Sequence, residues 1–352
     1  MGQLLAAPRE AGTPAAAAAR DLVAVHLEAL GYQVERQRFR FTPSAPLGLP
    51  VFGAGVGFLG LVLLPVLTGG GLPAWTPLLL LSGGLVVLTL LATGVGLGWI
   101  AIGGAPREDA NLIATRGSGP VRRWMVAHLD TKAQAQSMAG RLVAVWFLIV
   151  AIAALVGLGI SRLWGPLSLL PPAIGAALAV LAGALAGGGR LRGGSPGARD
   201  NGTGLAAVLA AAEAVGASDT GILITGAEEF GLVGARIFVA ERALTIPGSV
   251  IVNLDTIDQE GQLAVVTHDA RGVELARQMA AALAAAGLPS RLRRLPLGIL
   301  TDSVPFARRG FPAVTIGRLT WRTLRLIHTP ADTADGLSLD AAIRIGRALA
   351  AN

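Results

Sequence analysis

Five short fragments carry side chains of the types that bind divalent metal ions. In chain order they are His128-Leu129-Asp130, Asp200-Asn201, Glu228-Glu229, Asp255 and His328. A hydrolytic site for two metals needs one carboxylate shared by both ions, and an acidic and an imidazole ligand for each ion. It also needs a free carboxylate that takes a proton from the attacking water. The fragments therefore have the composition of a two-metal hydrolytic site.

Each fragment alone occurs often by chance, so the prediction depends on the whole set. The imidazoles are His128 and His328, and the three ligand carboxylates are Asp200, Glu229 and Asp255. Glu228 is the spare carboxylate, and Asp130 stands two residues from His128, where it can orient the imidazole or its neighbours. Because cysteine is absent, thiolate ligands are excluded. His26 and His268 are assigned no role.

The composition indicates a membrane protein. Of the 352 residues, 53% are hydrophobic and only 14% are charged, against about 25% charged in ordinary soluble domains. The net charge is +7, but the arginines stand beside apolar blocks and the chain has a single tyrosine. Anchoring at a membrane surface therefore explains this basicity better than nucleic-acid binding. The segment Met1–Arg9 lacks the apolar core of a signal peptide, so export by a cleaved signal is not expected.

Long uncharged runs predict four membrane crossings in two hairpins. From Phe41 to Pro106 there are 66 residues without a charge, and a helix needs roughly 20 apolar residues to cross the hydrocarbon. A buried position in a large soluble core is the competing interpretation, but soluble cores rarely contain so long an uncharged run. The predicted spans are Leu49–Thr68, Trp75–Ile102, Leu142–Ile160 and Leu167–Leu185. Gly53, Gly57 and Gly60 give the first span a small face for close helix packing.

The rest of the chain alternates strands with helices, which predicts an α/β domain with a mostly parallel central sheet. The predicted strands are 32–39, 124–128, 222–225, 250–254, 263–267 and 312–316, and the predicted helices are 12–31, 203–215, 232–245, 269–286 and 338–351. Ligands bind beyond the carboxyl ends of such strands. Several of the metal-binding side chains stand at such ends. The domain is predicted in three pieces, 1–46, 104–140 and 190–352, interrupted by transmembrane hairpins at 47–103 and 141–189.

These fragments resemble those of the M28 peptidases, a family of dinuclear zinc aminopeptidases. The matching segments are Ala127–Thr131, Gly197–Gly204, Ala227–Gly231, Val252–Thr256 and Ile327–Thr333. The resemblance implies a three-layer α/β/α domain, a peptide substrate and two Zn²⁺ or other divalent ions. It implies that His128 and Asp255 bind one ion, that Glu229 and His328 bind the other, and that Asp200 bridges them. It also implies that Glu228 is the general base and that Asp130 supports His128.

Three departures from the family pattern bear on activity. Arg199 stands where the family usually has an acid, which changes the charge near the metals. Ser303 replaces the usual histidine of a Ser-Asp-His segment, which removes a hydrogen bond near the substrate pocket. The only tyrosine is Tyr32, so the tyrosine that often steadies the tetrahedral intermediate in the family has no counterpart.

The leading hypothesis is a membrane-embedded zinc aminopeptidase. A non-catalytic membrane scaffold or receptor on a retained peptidase fold is the alternative from another class, motivated by Arg199, Ser303 and the missing tyrosine. Against it, all five ligands and the base are present. A related zinc enzyme, such as a glutaminyl cyclase or a carboxypeptidase, is the third possibility, although His128 and Asp255 favour a two-metal hydrolase over a one-metal cyclase.

Charge beside the apolar blocks predicts a multi-pass protein of a prokaryotic cell membrane with its catalytic domain in the cytoplasm. Two hairpins return the chain each time to the side of the membrane that carries the catalytic domain. Eight basic residues flank the spans on that side, whereas the hairpin turns on the other side contain one. The eight are Arg36, Arg38, Arg40, Arg107, Lys132, Arg141, Arg190 and Arg192. The one is Arg162. Because short basic flanks stay in the cytoplasm, both turns are predicted outside.

Overall fold

The computed structural model describes residues 1–216, 219–295 and 299–350. The chain divides into two compact units. The α/β unit comprises Met1–Phe41, Pro106–Ala133 and Gly193–Asn352, and the helical unit comprises Thr42–Ala105 and Gln134–Arg192. Residue 351, the last of the predicted helix 338–351, lies outside the described residues.

The described residues form eight strands and twelve α-helices, numbered in chain order. The strands are β1 (Gln33–Phe41), β2 (Arg107–Thr115), β3 (Arg123–His128), β4 (Thr220–Thr225), β5 (Val250–Ile257), β6 (Gln262–Thr267), β7 (Arg291–Arg294) and β8 (Ala313–Leu319). The helices are α1 (Gly2–Leu5), α2 (Pro14–Ala29), α3 (Gly48–Thr68), α4 (Thr76–Gly96), α5 (Met138–Ser161), α6 (Leu170–Gly187), α7 (Gly204–Ala214), α8 (Val233–Arg242), α9 (Gly272–Ala285), α10 (Ser303–Arg308), α11 (Trp321–Leu326) and α12 (Asp340–Ala350). Helices α3 to α6 belong to the helical unit.

One mixed sheet crosses the α/β unit in the order β1-β2-β4-β3-β5-β8-β6-β7. The four central strands β4, β3, β5 and β8 run parallel to one another, and so do β6 and β7. Antiparallel pairs join β1 to β2, β2 to β4 and β6 to β8. Because the central strands are parallel, their carboxyl ends meet at one edge of the sheet.

The central strands are buried on both faces and contribute to two hydrophobic cores. In β3, the side chain of Met125 joins the core formed with α2, α7, α9 and α12. Trp124 and Val126 point the other way and join the core formed with α8 and α10. Alternation along a strand thus places helices on both faces of the sheet. The predicted three-layer α/β fold is confirmed.

The helical unit contains four helices that are long and apolar enough to cross a membrane, as predicted. The candidate spans among the described residues are Ala45–Thr68, Thr76–Gly96, Met138–Trp164 and Leu170–Gly187. Helix α4 ends six residues before the predicted Ile102. The small face of α3 lies against α6, because a Cβ on Gly53 or Gly60 would meet Ala186 or Ala179 at 2.4 or 2.7 Å.

Several elements of the α/β unit lie outside the predicted set. Strand β2 begins with charged residues directly after the uncharged run, and β7 has the sequence Arg-Leu-Arg-Arg with every side chain exposed. Neither strand shows the apolar run or alternation that predicts a half-buried strand. Helices α10 and α11 have only six residues each, which is too short for a helical period to be recognised.

Candidate metal centre

The metal-binding side chains predicted from the sequence converge at the carboxyl edge of the central strands. His128 is the last residue of β3, Glu228 and Glu229 follow β4, and Asp255 lies near the end of β5. His328 follows β8 and the short helix α11. Asp200 belongs to the segment that leads into α7. Five separate parts of the chain therefore supply one cluster.

The cluster consists of two groups that share Asp200. One group contains His128, Asp200 and Asp255, the other contains Asp200, Glu229 and His328, and within each group the ligand atoms lie within 4.8 Å of one another. Asp200 Oδ1 lies 3.2 Å from His128 Nε2, and Asp200 Oδ2 lies 3.2 Å from His328 Nε2. The two oxygens of one carboxylate thus face two different imidazoles.

The spacing of these atoms fits zinc. Two ligand atoms bound to one tetrahedral zinc at about 2.0–2.1 Å lie roughly 3.3 Å apart. His328 Nε2 lies 3.3 Å from Glu229 Oε2, and His128 Nε2 lies 3.8 Å from Asp255 Oδ1. In the described part of the chain, buried Glu229 Oε1 and His328 Nδ1 have no hydrogen-bond partner. Imidazole and carboxylate ligands without thiolate suit zinc and similar divalent ions.

Asp130 fixes both the imidazole and the paired glutamates. His128 Nδ1 donates to the backbone carbonyl oxygen of Asp130 at 3.0 Å, which leaves Nε2 facing Asp200. The Asp130 carboxylate accepts the backbone N–H groups of Glu228 at 3.0 Å and Glu229 at 3.1 Å. The buried side chain of Asp130 therefore links the end of β3 to the loop after β4.

Asp332 and Asn201 hold the segment that carries Asp200. Asp332 Oδ1 and Oδ2 accept the backbone N–H groups of Arg199 at 2.9 Å and Asp200 at 3.1 Å. Asn201 donates to the carbonyl oxygen of Leu254 at 2.9 Å and accepts the N–H of Thr256 at 3.1 Å. The Asp200 segment is thereby tied to the loop after His328 and to the end of β5, where Asp255 stands.

Left-handed backbone conformations accompany the ligand residues. Ala227 has a φ of 53°, Thr256 has a φ of 51° and His328 has a φ of 63°. Ala227 precedes Glu228, Thr256 follows Asp255, and His328 is itself one of the predicted ligands. Non-glycine residues adopt positive φ uncommonly, and such conformations cluster at functional sites.

Buried charge dominates the electrostatics of the ligands. Burial opposes ionisation of Asp200, but hydrogen bonds from His128 and His328 outweigh burial and lower its pKa below the ordinary value. Burial also opposes ionisation of Glu229, but the charges of His328 and Lys132 lower its pKa to about 2. The pKa of His328 is raised, because the charge of Glu229 and hydrogen bonds to both carboxylates outweigh burial. The cluster thus stabilises positive charge between its carboxylates.

The spare carboxylate behaves differently. Burial raises the pKa of Glu228 well above its ordinary value, although the positive charge of His128 opposes the rise. Burial also raises the pKa of Asp130 to about 6. Glu228 and Glu229 are adjacent in sequence, but their pKa values shift in opposite directions because different groups surround them.

Arg199 and Ser303 are two residues that depart from the family pattern, and both contact polar side chains of the α/β unit. The Arg199 guanidinium lies 3.3 Å from Asp258 and 3.5 Å from Asp332, so its charge is matched by two carboxylates. Ser303 Oγ lies 2.5 Å from His268 Nε2 and 2.5 Å from Thr315 Oγ1. An imidazole therefore does contact this position, but it comes from His268.

Arg9 and Lys132 also contact the residues of the site, although the sequence predicts no role there for either side chain. Arg9 is fully buried and donates to the carbonyl oxygens of Leu129 at 3.0 Å and Gly197 at 3.1 Å, joining the His128 and Asp200 segments. Lys132 Nζ lies 2.6 Å from Glu229 Oε2. Arg9 carries no signal in the sequence, whereas Lys132 does, because it is the single lysine and stands two residues after Asp130.

Comparisons with known proteins indicate which class of protein has this fold and this site. The model of peptidase family M28 matches residues 184–352. Among solved structures, a zinc aminopeptidase from Bacillus subtilis is similar, with 18% identity, a TM-score of 0.59, and coverage of 99% of this chain and 92% of that chain. The aminopeptidase from Aneurinibacillus sp. strain AM-1 has 18% identity, a TM-score of 0.58, and coverage of 98% and 90%. The fold and the family match define a metallopeptidase of the hydrolase class.

Residues 184–352 match the model of peptidase family M28, and the similarity to zinc aminopeptidases implies a zinc cofactor. A glutaminyl cyclase from Fimbriiglobus ruber is also similar in structure, with 16% identity, a TM-score of 0.57, and coverage of 99% of this chain and 90% of that chain. No curated protein sequence matches the chain.

The contacts of Asp332 predict that this side chain controls zinc affinity without binding zinc. In Asp332→Asn, an amide N–H₂ group replaces one of the two oxygens that accept backbone N–H groups, so the Asp200 segment loses a hydrogen bond. We expect zinc to bind about 10–100-fold more weakly, as for other outer-shell changes. A competition titration with a chromophoric chelator measures this, with the exposed Asp335→Asn as the control. Equal affinity in Asp332→Asn and the unsubstituted protein would contradict the assignment.

Proposed function

We propose that the protein is a membrane-bound aminopeptidase that uses two zinc ions to remove N-terminal residues from peptides. The observation that carries this proposal is the position of Asp200, whose two oxygens each lie 3.2 Å from a different imidazole. A carboxylate in this position can bind two ions at once. A site for a single ion would need only one of the two groups of ligand residues that share Asp200.

In this proposal, His128, Asp200 and Asp255 would hold one ion. Asp200, Glu229 and His328 would hold the other ion. When bound, zinc polarises the scissile carbonyl and makes water a better nucleophile. Asp130, Asn201 and Asp332 tie together the backbone segments that carry these ligand atoms.

Glu228 is proposed as the general base. It takes the proton from the attacking water and gives that proton to the leaving amine. Two observations support this role: Glu228 is absent from both groups of ligand atoms, and its raised pKa makes its carboxylate a better proton acceptor than Glu229. Its backbone N–H is fixed by Asp130 at 3.0 Å, which sets the direction in which the side chain leaves the loop.

A zinc-dependent cyclisation of N-terminal glutamine is the second candidate function. The similarity to the Fimbriiglobus ruber glutaminyl cyclase favours it. The group formed by His128, Asp200 and Asp255 favours the hydrolase, because a one-metal cyclase does not need it. Peptides that begin with glutamine separate the two, since a hydrolase releases a free amino acid and a cyclase releases ammonia. A carboxypeptidase would shorten the opposite end of the peptide, and a scaffold would leave it intact.

Glu228→Gln tests the chemistry directly. The amide cannot accept a proton, so we expect the rate of N-terminal residue release to fall about 10²–10⁴-fold. Zinc content should stay at the level of the unsubstituted protein, because the ligand groups are unchanged. Activity on short peptides and bound zinc are measured on the detergent-purified protein.

Glu213→Gln is the matched control, since Glu213 is half-exposed and pairs with His26 at 3.3 Å. It should leave activity unchanged. Undiminished activity in Glu228→Gln would rule out this residue as the base. An unsubstituted protein that binds no zinc would rule out the whole proposed function.

We also propose that the four apolar helices cross the cell membrane and that the α/β unit lies in the cytoplasm. Support comes from the length of the four candidate spans and from the eight-to-one excess of basic residues on the flanks over the hairpin turns. An even number of crossings also keeps the three pieces of the α/β unit on one side, which the shared cluster of ligands requires.

Single cysteines test this orientation, because the chain has none of its own. Gly70 lies in the first hairpin turn and Ala334 lies in the loop after His328, and both are exposed. In intact cells, a membrane-impermeant thiol reagent should label Gly70→Cys and leave Ala334→Cys unlabelled. Permeabilised cells, in which both positions should react, are the control. Labelling at position 334 without labelling at position 70 would reverse the orientation.

A further inference from the structure

Lys132 is an uncommon neighbour for a proposed metal position. It is the single lysine among 29 basic residues, and it is only 5% exposed. Its ammonium nitrogen lies 2.6 Å from Glu229 Oε2 and 3.5 Å from the Glu229 carbonyl oxygen. Both contacts are with the same residue, so this cation is directed at one proposed zinc ligand.

The two groups of ligands therefore differ in charge. Glu229 Oε2 also lies 3.3 Å from His328 Nε2, so the ammonium and the imidazole compete for one oxygen. In the other group, Asp255 Oδ1 accepts a hydrogen bond from the neutral hydroxyl of Thr256 at 3.0 Å. The group of Asp200, Glu229 and His328 therefore lies against the positive charge of Lys132. In the group of His128, Asp200 and Asp255, the hydroxyl that donates to Asp255 is neutral.

A fixed cation weakens binding of a second cation. The ammonium repels a divalent ion bound by the same carboxylate, and because Lys132 is buried, water and salt screen this repulsion little. The ammonium also occupies a lone pair of Glu229 that would otherwise be available to the metal. Both effects act on the ion held by Glu229 and His328 more than on the ion held by His128 and Asp255.

We propose that Lys132 makes the Glu229–His328 position a weak, exchangeable zinc site, while the His128–Asp255 position holds its ion tightly. The inference rests on the proposed two-zinc function and adds a regulatory property to it. Occupancy of the second position, and with it the active form, then follows the concentration of free zinc. Lys132 acts through Glu229 and is a positioning residue.

Stepwise zinc titration of the metal-free, full-length protein in detergent tests this role. We expect two steps whose dissociation constants differ at least tenfold. In Lys132→Met, which keeps the length of the side chain without its charge, the second step should tighten at least tenfold and the first should change less than twofold. Lys132→Arg, which keeps a positive charge, should retain the weak second step. His328→Ala should lose the second step alone, which assigns that step to its position.

The outcomes separate this inference from the proposed function. Two steps of equal affinity in the unsubstituted protein would overturn the inference, and so would an unchanged or weaker second step in Lys132→Met. A second zinc that binds Lys132→Met at a free-zinc concentration at which the unsubstituted protein holds only one would support it, provided that the unsubstituted protein binds its second zinc at higher concentration. One zinc or none in both proteins would overturn the two-zinc function itself. The first step is an internal control for folding, because it is measured on the same sample.

Discussion

The structure of the candidate site depends on one buried carboxylate placed between two imidazoles. Asp200 faces His128 with one oxygen and His328 with the other, and it is 8% exposed. A buried charge is costly unless it is paired. Hydrogen bonds from His128 and His328 lower the pKa of this carboxylate, and positive charge on both sides stabilises its ionised form. The proposed zinc ions would supply that charge.

Positioning this carboxylate explains why so many polar side chains lie buried around it. Asp332 and Asn201 bind backbone groups on either side of Asp200, and Arg9 joins the Asp200 segment to the end of β3. Each of these bonds links two distant parts of the chain. The sheet provides the frame, because parallel strands bring their carboxyl ends to one edge, and the buried polar contacts fix the loops on that frame.

The sequence predicts the ligand set and the frame, because ligand types and apolar runs are visible in it. It predicts neither the weak strands nor the polar contacts that hold the loops. Strand β7 forms from four exposed residues by pairing with β6, and its own residues give no indication of this. Arg9 has no local pattern, since its importance arises from carbonyl oxygens more than a hundred residues away. The contact of Lys132 with Glu229 is likewise a tertiary property, and the sequence marks Lys132 only as the single lysine, two residues after Asp130.

Anomalous diffraction at the zinc absorption edge, from crystals of the zinc-saturated full-length protein, tests the central claim most directly. The two-zinc assignment predicts two peaks flanking the carboxylate of Asp200, one within bonding distance of His128 and Asp255 and the other within bonding distance of Glu229 and His328. A single peak at saturating zinc, or peaks that Asp200 does not join, would contradict it.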